Sequence, residues 1–427
     1  MARFMYSVLL YLVQPLIWLR LLWRARKQPE YLQHLGERYG VYDRHGQTVP
    51  ARLLWLHAVS VGETRAAEPL IKALLDAYPD HSLLMTHMTP TGRATGGELI
   101  AKYGPRLIQA YLPYDLPDAC ARFLAHFKPQ LGLLMETELW PNLIAAAKQG
   151  DIPMALINAR LSARSQHGYQ RFLPLIRPTL TALRAVAAQT PADAQRLATL
   201  GALNVDVLGN LKFDVTPSLE KLELGSQWRQ AIGNRPVWLV ASTREGEEAL
   251  ILDAFVRLNW PDLLLLLVPR HPQRFSEVGA LIEERRLSFA KRSGGELPTD
   301  TTQVWLGDSM GEMPAYYAVA DLALIGGTLL PFGGQNLIEA AACGCPVLVG
   351  PHTFNFAQAT EDAIASGAAR RVADLGGATD EIRRLLSDVK AMRVMHDATL
   401  RFSQAHRGAT AKTLALIQKI RAPQTAD

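Results

Sequence analysis

From Leu324 to Phe356 the chain reads LIGGTLLPFGGQNLIEAAACGCPVLVGPHTFNF, and this stretch restricts the fold more than any other. An apolar run ending at Ile325 meets Gly326-Gly327, and a second pair, Gly333-Gly334, directly precedes a segment expected to be helical from Gln335 to Cys343. A further strand, expected over Pro346 to Val349, closes a β-α-β unit. Glycines let backbone approach a ligand, and the first N–H groups of a helix carry the positive end of its dipole, so the turn has the makings of an anion site. Asn336 and Glu339, three residues apart, are expected on one face of the first turn, where an amide and a carboxylate can hold sugar hydroxyls or a base edge. An ordinary glycine-rich turn of an α/β domain fits the same pattern.

A chain of 427 residues with 48% hydrophobic and 20% charged residues is long enough for two domains with full cores. Its formal charge of +5 suits anionic small molecules or a membrane surface. No dense basic tract with interleaved aromatics points to nucleic acid. The cysteines, Cys120, Cys343 and Cys345, form no CxxC pair, which argues for a reduced compartment without a structural metal. Cys343 and Cys345 read as small packing residues at a helix end.

Residues 4–19, FMYSVLLYLVQPLIWL, carry no charge and are followed by Arg20, Arg24, Arg26 and Lys27. The run is marginal for a bilayer span, and Pro15 is expected to kink it. The charge follows the apolar run and no cleavage site is evident, so the segment does not read as a signal peptide. We read residues 1–30 as a membrane anchor or docking segment whose basic flank keeps the rest on the cytoplasmic side; a buried amphipathic helix is the alternative.

Strands are then expected at 53–56, 82–86, 131–135, 154–157, 186–188 and 205–208, alternating with helical patterns, as in a parallel doubly wound sheet. The first empties into His57-Ala58-Val59-Ser60-Val61-Gly62-Glu63, so Glu63 sits at a strand-to-helix turn, where open α/β sheets bind ligands. A carboxylate at a helix start is also a common stabilising feature. Glu136 and Glu138 follow the third of these strands and share a face in extended backbone, a costly arrangement without a function or a cation nearby. Arg160 and Arg164 are placed to meet phosphates or to anchor acids, and Lys212 to offset charge on a leaving group.

Residues 215–226 are polar, with Pro217 and Gly225, and read as a linker between an N-terminal domain, 31–214, and a C-terminal domain, 227–427. The second half repeats the alternation, with strands expected at 238–241, 263–268, 321–325 and 346–349. Their turns are STREGEE at 242–248, whose helix start also suits an anion, PRHP at 269–272 and GDSMGEM at 307–313. A parallel sheet gathers such turns on one edge.

Two doubly wound, Rossmann-like domains with an anion site in the second describe the GT-B glycosyltransferase architecture, with the domains expected to face a cleft. The motifs HAVSVGE (57–63), METELWPN (135–142), NARLSARS (158–165), NLKFD (210–214), STREGEE, PRHP, GDSMGEM and GGQNLIEAAACGCPVLVGPHTFNF (333–356), in this order, resemble the 3-deoxy-D-manno-octulosonic acid (Kdo) transferases. The resemblance implies an inverting transfer of Kdo from CMP-Kdo to the lipid A precursor at the cytoplasmic face of the inner membrane, with no metal and no cofactor. It implies Glu63 as general base and Glu136 and Lys212 as transition-state stabilisers. It places CMP contacts on Pro269, Arg270, Gly311, Glu312, Met313, Asn336, Leu337, Ile338 and Glu339. Another GT-B nucleotide-sugar transferase or epimerase shares the second-domain turns but needs neither the apolar N-terminus nor Glu63 in this setting.

Removing residues 4–23 is expected to weaken association with membrane vesicles while nucleotide binding is kept, as flotation and calorimetry would measure. A truncated protein still bound to vesicles at high salt would refute the anchor.

Overall fold

Fourteen strands form two seven-stranded sheets, and every strand pair among the described residues is parallel. The computed structural model describes residues 1–26, 28–42, 49–214 and 216–422. Lys27 of the basic cluster, Val215 at the head of the expected linker and residues 423–427 lie outside the described residues. The chain divides into two units, Met1–Asp214 with Arg407–Asp427, and Val215–His406.

The first sheet contains β1 (Leu53–His57), β2 (Ser82–His87), β3 (Leu107–Tyr111), β4 (Leu131–Met135), β5 (Met154–Ala159), β6 (Ala185–Ala188) and β7 (Val205–Val207), in the order β3-β2-β1-β4-β5-β6-β7. Helices connect successive strands, so both faces are covered and the strands read as continuous apolar runs. On β1, Leu53 and Trp55 pack into one buried layer while Leu54 and Leu56 pack into the other. The strand order reverses between β1 and β4, which opens a crevice beyond their carboxyl ends.

The second sheet contains β8 (Val237–Thr243), β9 (Leu264–Pro269), β10 (Phe289–Lys291), β11 (Val304–Leu306), β12 (Leu322–Ile325), β13 (Val347–Val349) and β14 (Ala369–Arg371). Its order is β10-β11-β9-β8-β12-β13-β14, with the reversal between β8 and β12. Strands β3, β10, β11 and β14 were not expected from sequence. All but β3 are only three residues long, and β3 (LIQAY) and β14 (ARR) carry polar side chains, so neither length nor pattern marked them.

The expected linker 215–226 is largely helix, because a helix spans Leu219–Ile232 within the second unit. Gly225 marks close packing instead of a break: a Cβ there would lie 2.6 Å from the Ala315 carbonyl oxygen. The chain's end also departs from the expected C-terminal domain. The helix Ala409–Arg421 belongs to the first unit, its start capped by the Asp214 carboxylate, which accepts from Gly408 N at 2.6 Å and from Thr410 N.

At the N-terminus two helices, Ala2–Leu12 and Gln14–Ala25, meet at a 49° bend. Pro15, in the first turn of the second helix, has no N–H to continue the first and clashes with the preceding turn. Among the described residues no single helix is long and apolar enough to cross a membrane, although the bent pair qualifies by length and composition. Polar contacts tie the pair to the first unit: Ser7 Oγ donates to Asn142 Oδ1 at 3.1 Å, and Tyr39 Oη donates to Gln14 Oε1 at 3.0 Å. Phe4, Met5, Leu9, Leu12, Leu16, Leu19 and Trp23 remain exposed, so this is not a core helix.

Gly326 follows β12 where a Cβ would lie 2.4 Å from the Ser242 carbonyl oxygen. Gly326→Ala is therefore expected to destabilise the protein by about 1–3 kcal/mol in urea unfolding, by overpacking against backbone that has no room to move.

Candidate active site

In the first unit, the candidate side chains come from the loops after β1, β4, β5 and β7, at one edge of the sheet. The loop after β1 turns into the helix Val61–Ala77, capped by Ser60, whose Oγ accepts from Glu63 N at 3.4 Å. The Glu63 carboxylate reaches back, accepting from Val59 N at 2.8 Å and from Ser60 Oγ at 3.1 Å. This is a capping box, so the stabilising role of a carboxylate at a helix start is met at Glu63. Burial pushes the Glu63 carboxyl upward and the nearby Glu136 adds to it; the Val59 N–H, Ser60 and Lys212 pull the other way.

Glu136 follows β4 in a left-handed conformation, φ 57°, that few non-glycine residues adopt. It is 5% exposed, yet its two oxygens are paired separately: Oε2 with Arg160 Nε at 2.8 Å and Oε1 with Lys212 Nζ at 3.1 Å. Arg160 thus anchors an acid, one of the two roles left open by the sequence. Asn158, also left-handed at φ 50° and at an irregularity of the β5–β6 pairing, accepts from Leu211 N through Oδ1 at 3.0 Å. Asn210 Oδ1 accepts from Lys212 N at 3.0 Å. Three strand-end loops are tied to one another in this way.

Glu138 lies on the same loop as Glu136 but shares neither of its cations. Trp140 Nε1 donates to its Oε2 at 2.9 Å, and His57 Nε2 stands 3.9 Å away. Burial, with Glu63 next in weight, pushes its carboxyl up to about 7. His57 drew no role from the sequence; it is fully buried at the end of β1, and burial holds it down at about 3. The alternation of β1 gave no sign that a histidine there would face an acid from β4. Among the described residues no group of three or more His, Cys, Asp or Glu is placed to hold a metal ion.

The second unit places PRHP, GDSMGEM and the Leu324–Phe356 stretch beyond the carboxyl ends of β9, β11 and β12, again on one sheet edge. The glycine turn is occupied by the protein itself to a degree the sequence did not suggest. Glu247, fully buried at a helix start, accepts from Arg244 N at 3.0 Å, Gly327 N at 2.7 Å and Leu329 N at 3.2 Å. Gly334 N and Gln335 N donate to the carbonyls of Gly327 and Gly326. The following helix is shorter than expected, Leu337–Ala342, and Asn336 caps it, accepting from Ile338 N at 3.1 Å. Amides of STREGEE and of the first glycine pair are therefore taken by a carboxylate of the chain.

Of the expected CMP contacts, Pro269, Leu337 and Ile338 have buried side chains, so only their backbone can meet a ligand. Arg270 is exposed. Glu312 is held in a two-point pair by Arg292 at 3.0 and 3.0 Å, and Met313 Sδ lies 4.0 Å from Ser242 Oγ. Gly311 takes a left-handed turn, φ 78°, before the helix Met313–Val319. Glu339 raises the Cys343 thiol, second to burial, to about 12, which suits the packing role read for that residue. His271, given no role from the sequence, is pushed down by burial and then by the nearby Arg244, Arg270 and Arg274, the last of which is itself paired with Glu248 and Glu277. Arg244 Nη1 lies 3.2 Å from His271 Nε2.

Comparison with known proteins bears on this geometry. Residues 33–215 match the model of the family described as 3-deoxy-D-manno-octulosonic-acid transferase (kdotransferase). A 3-deoxy-D-manno-octulosonic acid transferase of Bordetella pertussis is 46% identical over 97% of this chain and 98% of its own length. Its counterpart in Haemophilus influenzae is 42% identical over 83% of this chain and 84% of its own. Among solved structures, a glycosyltransferase of Rickettsia africae has a TM-score of 0.59 at 13% identity, covering 87% of this chain and 99% of that one. A UDP-GlcNAc 2-epimerase of Neisseria meningitidis has 0.58 at 18%, covering 86% and 100%. These two likenesses show the GT-B-like α/β fold.

Replacing Lys212 by Met leaves Glu136 with Arg160 alone and removes a group that lowers Glu63. Lys212→Met is expected to cost about 2 kcal/mol in urea unfolding and to shift the Glu63 carboxyl further upward in a ¹³C-NMR titration. An unshifted Glu63 would detach Lys212 from the site.

Proposed function

The chain belongs to the 3-deoxy-D-manno-octulosonic acid transferase family, and on that premise we propose that it transfers Kdo from CMP-Kdo to a hydroxyl of the lipid A precursor, with inversion, Glu63 acting as general base. The observation that carries this reading is the position of Glu63: half-buried, pinned at the reversal of strand order, and beside the Glu136–Lys212 pair. A carboxyl raised by burial is a stronger base than a solvated one, and ordinary carboxylates are too acidic to take a proton well near neutral pH. In the reaction Glu63 takes the acceptor's hydroxyl proton, the oxygen attacks the anomeric carbon from the side opposite the CMP, and CMP leaves with the bonding pair. Glu136 and Lys212 stabilise the charge that develops, Lys212 because its ammonium is held at 3.1 Å from Glu136 instead of being free to swing into solvent.

The second unit is read as the donor side. The arginines around His271 offer charge for a phosphate, Asn336 and Glu339 offer polar groups for the nucleoside, and the backbone of Pro269, Leu337 and Ile338 is available where their side chains are not. The exposed apolar side chains of residues 4–23, with Arg20, Arg24 and Arg26 behind them, support docking to the cytoplasmic face of the inner membrane, where a lipid acceptor resides.

Transfer of labelled sugar from CMP-Kdo generated in the assay to a tetraacylated lipid A precursor, with chelator present, tests the reading. Glu63→Ala is expected to lower the rate by about 10²- to 10⁴-fold while CMP binding is kept. A wild-type protein that binds CMP yet transfers nothing would overturn it.

A further inference from the structure

The Nδ1 of His57 lies 3.1 Å from the Thr86 carbonyl oxygen and 2.9 Å from Thr86 Oγ1, which itself accepts from Trp55 Nε1 at 2.8 Å. A carbonyl only accepts, so the contact with it favours the tautomer in which Nδ1 carries the proton and Nε2 presents a lone pair. Nε2 is buried, has no hydrogen-bond partner among the described residues, and stands 3.9 Å from Glu138 Oε2. A neutral imidazole can use an O–H there but not a carboxylate, since an ionised Glu138 would set one lone pair against another.

The charges around Glu138 point the same way. From β1 it faces His57, from the helix Val61–Ala77 it faces Glu63, and on its own loop it has Glu136 and the donor Trp140. From the helix Ala163–Gln170 it faces Tyr169, whose hydroxyl it pushes upward, second to burial. The nearby cations Arg160 and Lys212 are both paired to Glu136. A second ionised carboxylate here would raise the proton affinity of Glu63 and repel an anionic donor.

We propose that Glu138 is a positioning residue that faces the base as a neutral carboxylic acid, its O–H directed to His57 Nε2, so that Glu63 alone of the two is charged when it takes the acceptor's proton. The inference rests on the reading of Glu63 as base.

The active pair holds one proton, so kcat/KM is bell-shaped. It rises as Glu63 loses its proton, and it falls as pH passes through the range, about 7, where Glu138 loses its own. The drop on the basic side is expected to be about tenfold. Glu138→Gln keeps an N–H for His57 and cannot ionise; its maximum is expected to be about fivefold lower, and its basic limb to disappear. A folded Glu138→Gln enzyme that keeps the wild-type basic limb, or that is inactive at every pH, overturns the proposal. If that variant does not fold, wild-type protein labelled with ¹³C at the glutamate carboxyls decides: one glutamate titrating near neutrality supports the proposal, and none refutes it. Glu63→Gln, run alongside, should show no transfer at any pH; transfer at the wild-type rate would overturn the base assignment instead.

Discussion

The geometry of the first unit depends on the pairing of buried Glu136 with two cations. A carboxylate taken out of water loses solvation that a single partner seldom restores, and here Arg160 and Lys212 each engage a different oxygen. The arrangement requires a left-handed backbone at Glu136 and another at Asn158, each of which costs of order 1 kcal/mol. In return the loops after β4, β5 and β7 share one position. Glu63, delivered by the loop after β1, then experiences two opposing influences, burial raising its proton affinity and Lys212 lowering it. A base needs that balance, basic enough to take a proton and still charged in the resting site.

The second unit solves the same mechanical problem at Glu247 with backbone donors in place of cations. Glu247 is fully buried and held by three backbone N–H groups, which join the loop after β8 to the turn after β12. Its neighbour Glu248 is equally buried and is bonded by Thr243 and Arg274. Because Glu247 takes the Gly327 and Leu329 amides of the glycine turn, the positive character of this edge rests on side chains, among them Arg244 and Arg270 near His271.

The N-terminal helices show a different compromise. Hydrogen bonds from Ser7 and to Gln14, and the stacking of Trp18 on Tyr39 at 5.9 Å, hold them to the first unit by their polar side. The apolar side is left without protein cover. A water-exposed apolar face of this extent is unfavourable unless something apolar meets it, and that is the physical content of the docking role proposed above.

How much of this was legible in the chain follows from the range of the forces involved. Alternating strands and helices, the two parallel sheets and the collection of turns at their carboxyl edges were determined by sequence alone, because strands buried on both faces must be continuous apolar runs. The motifs carried the family, and Glu63 could be located because its helix start is local, with Ser60 three residues away. Short edge strands such as β10 and β14 were not legible, since three residues are too few for a period to register. Gly225 was misread as a linker residue because the reason for it, the backbone of Ala315, is distant in sequence. Tertiary structure alone decided which acids have cations: Lys212 reaches Glu136 across 76 positions, leaving Glu138 to face a neutral histidine. Charge pairing acts through space over a few ångströms, and the chain's linear order carries no record of which side chains folding will bring that close.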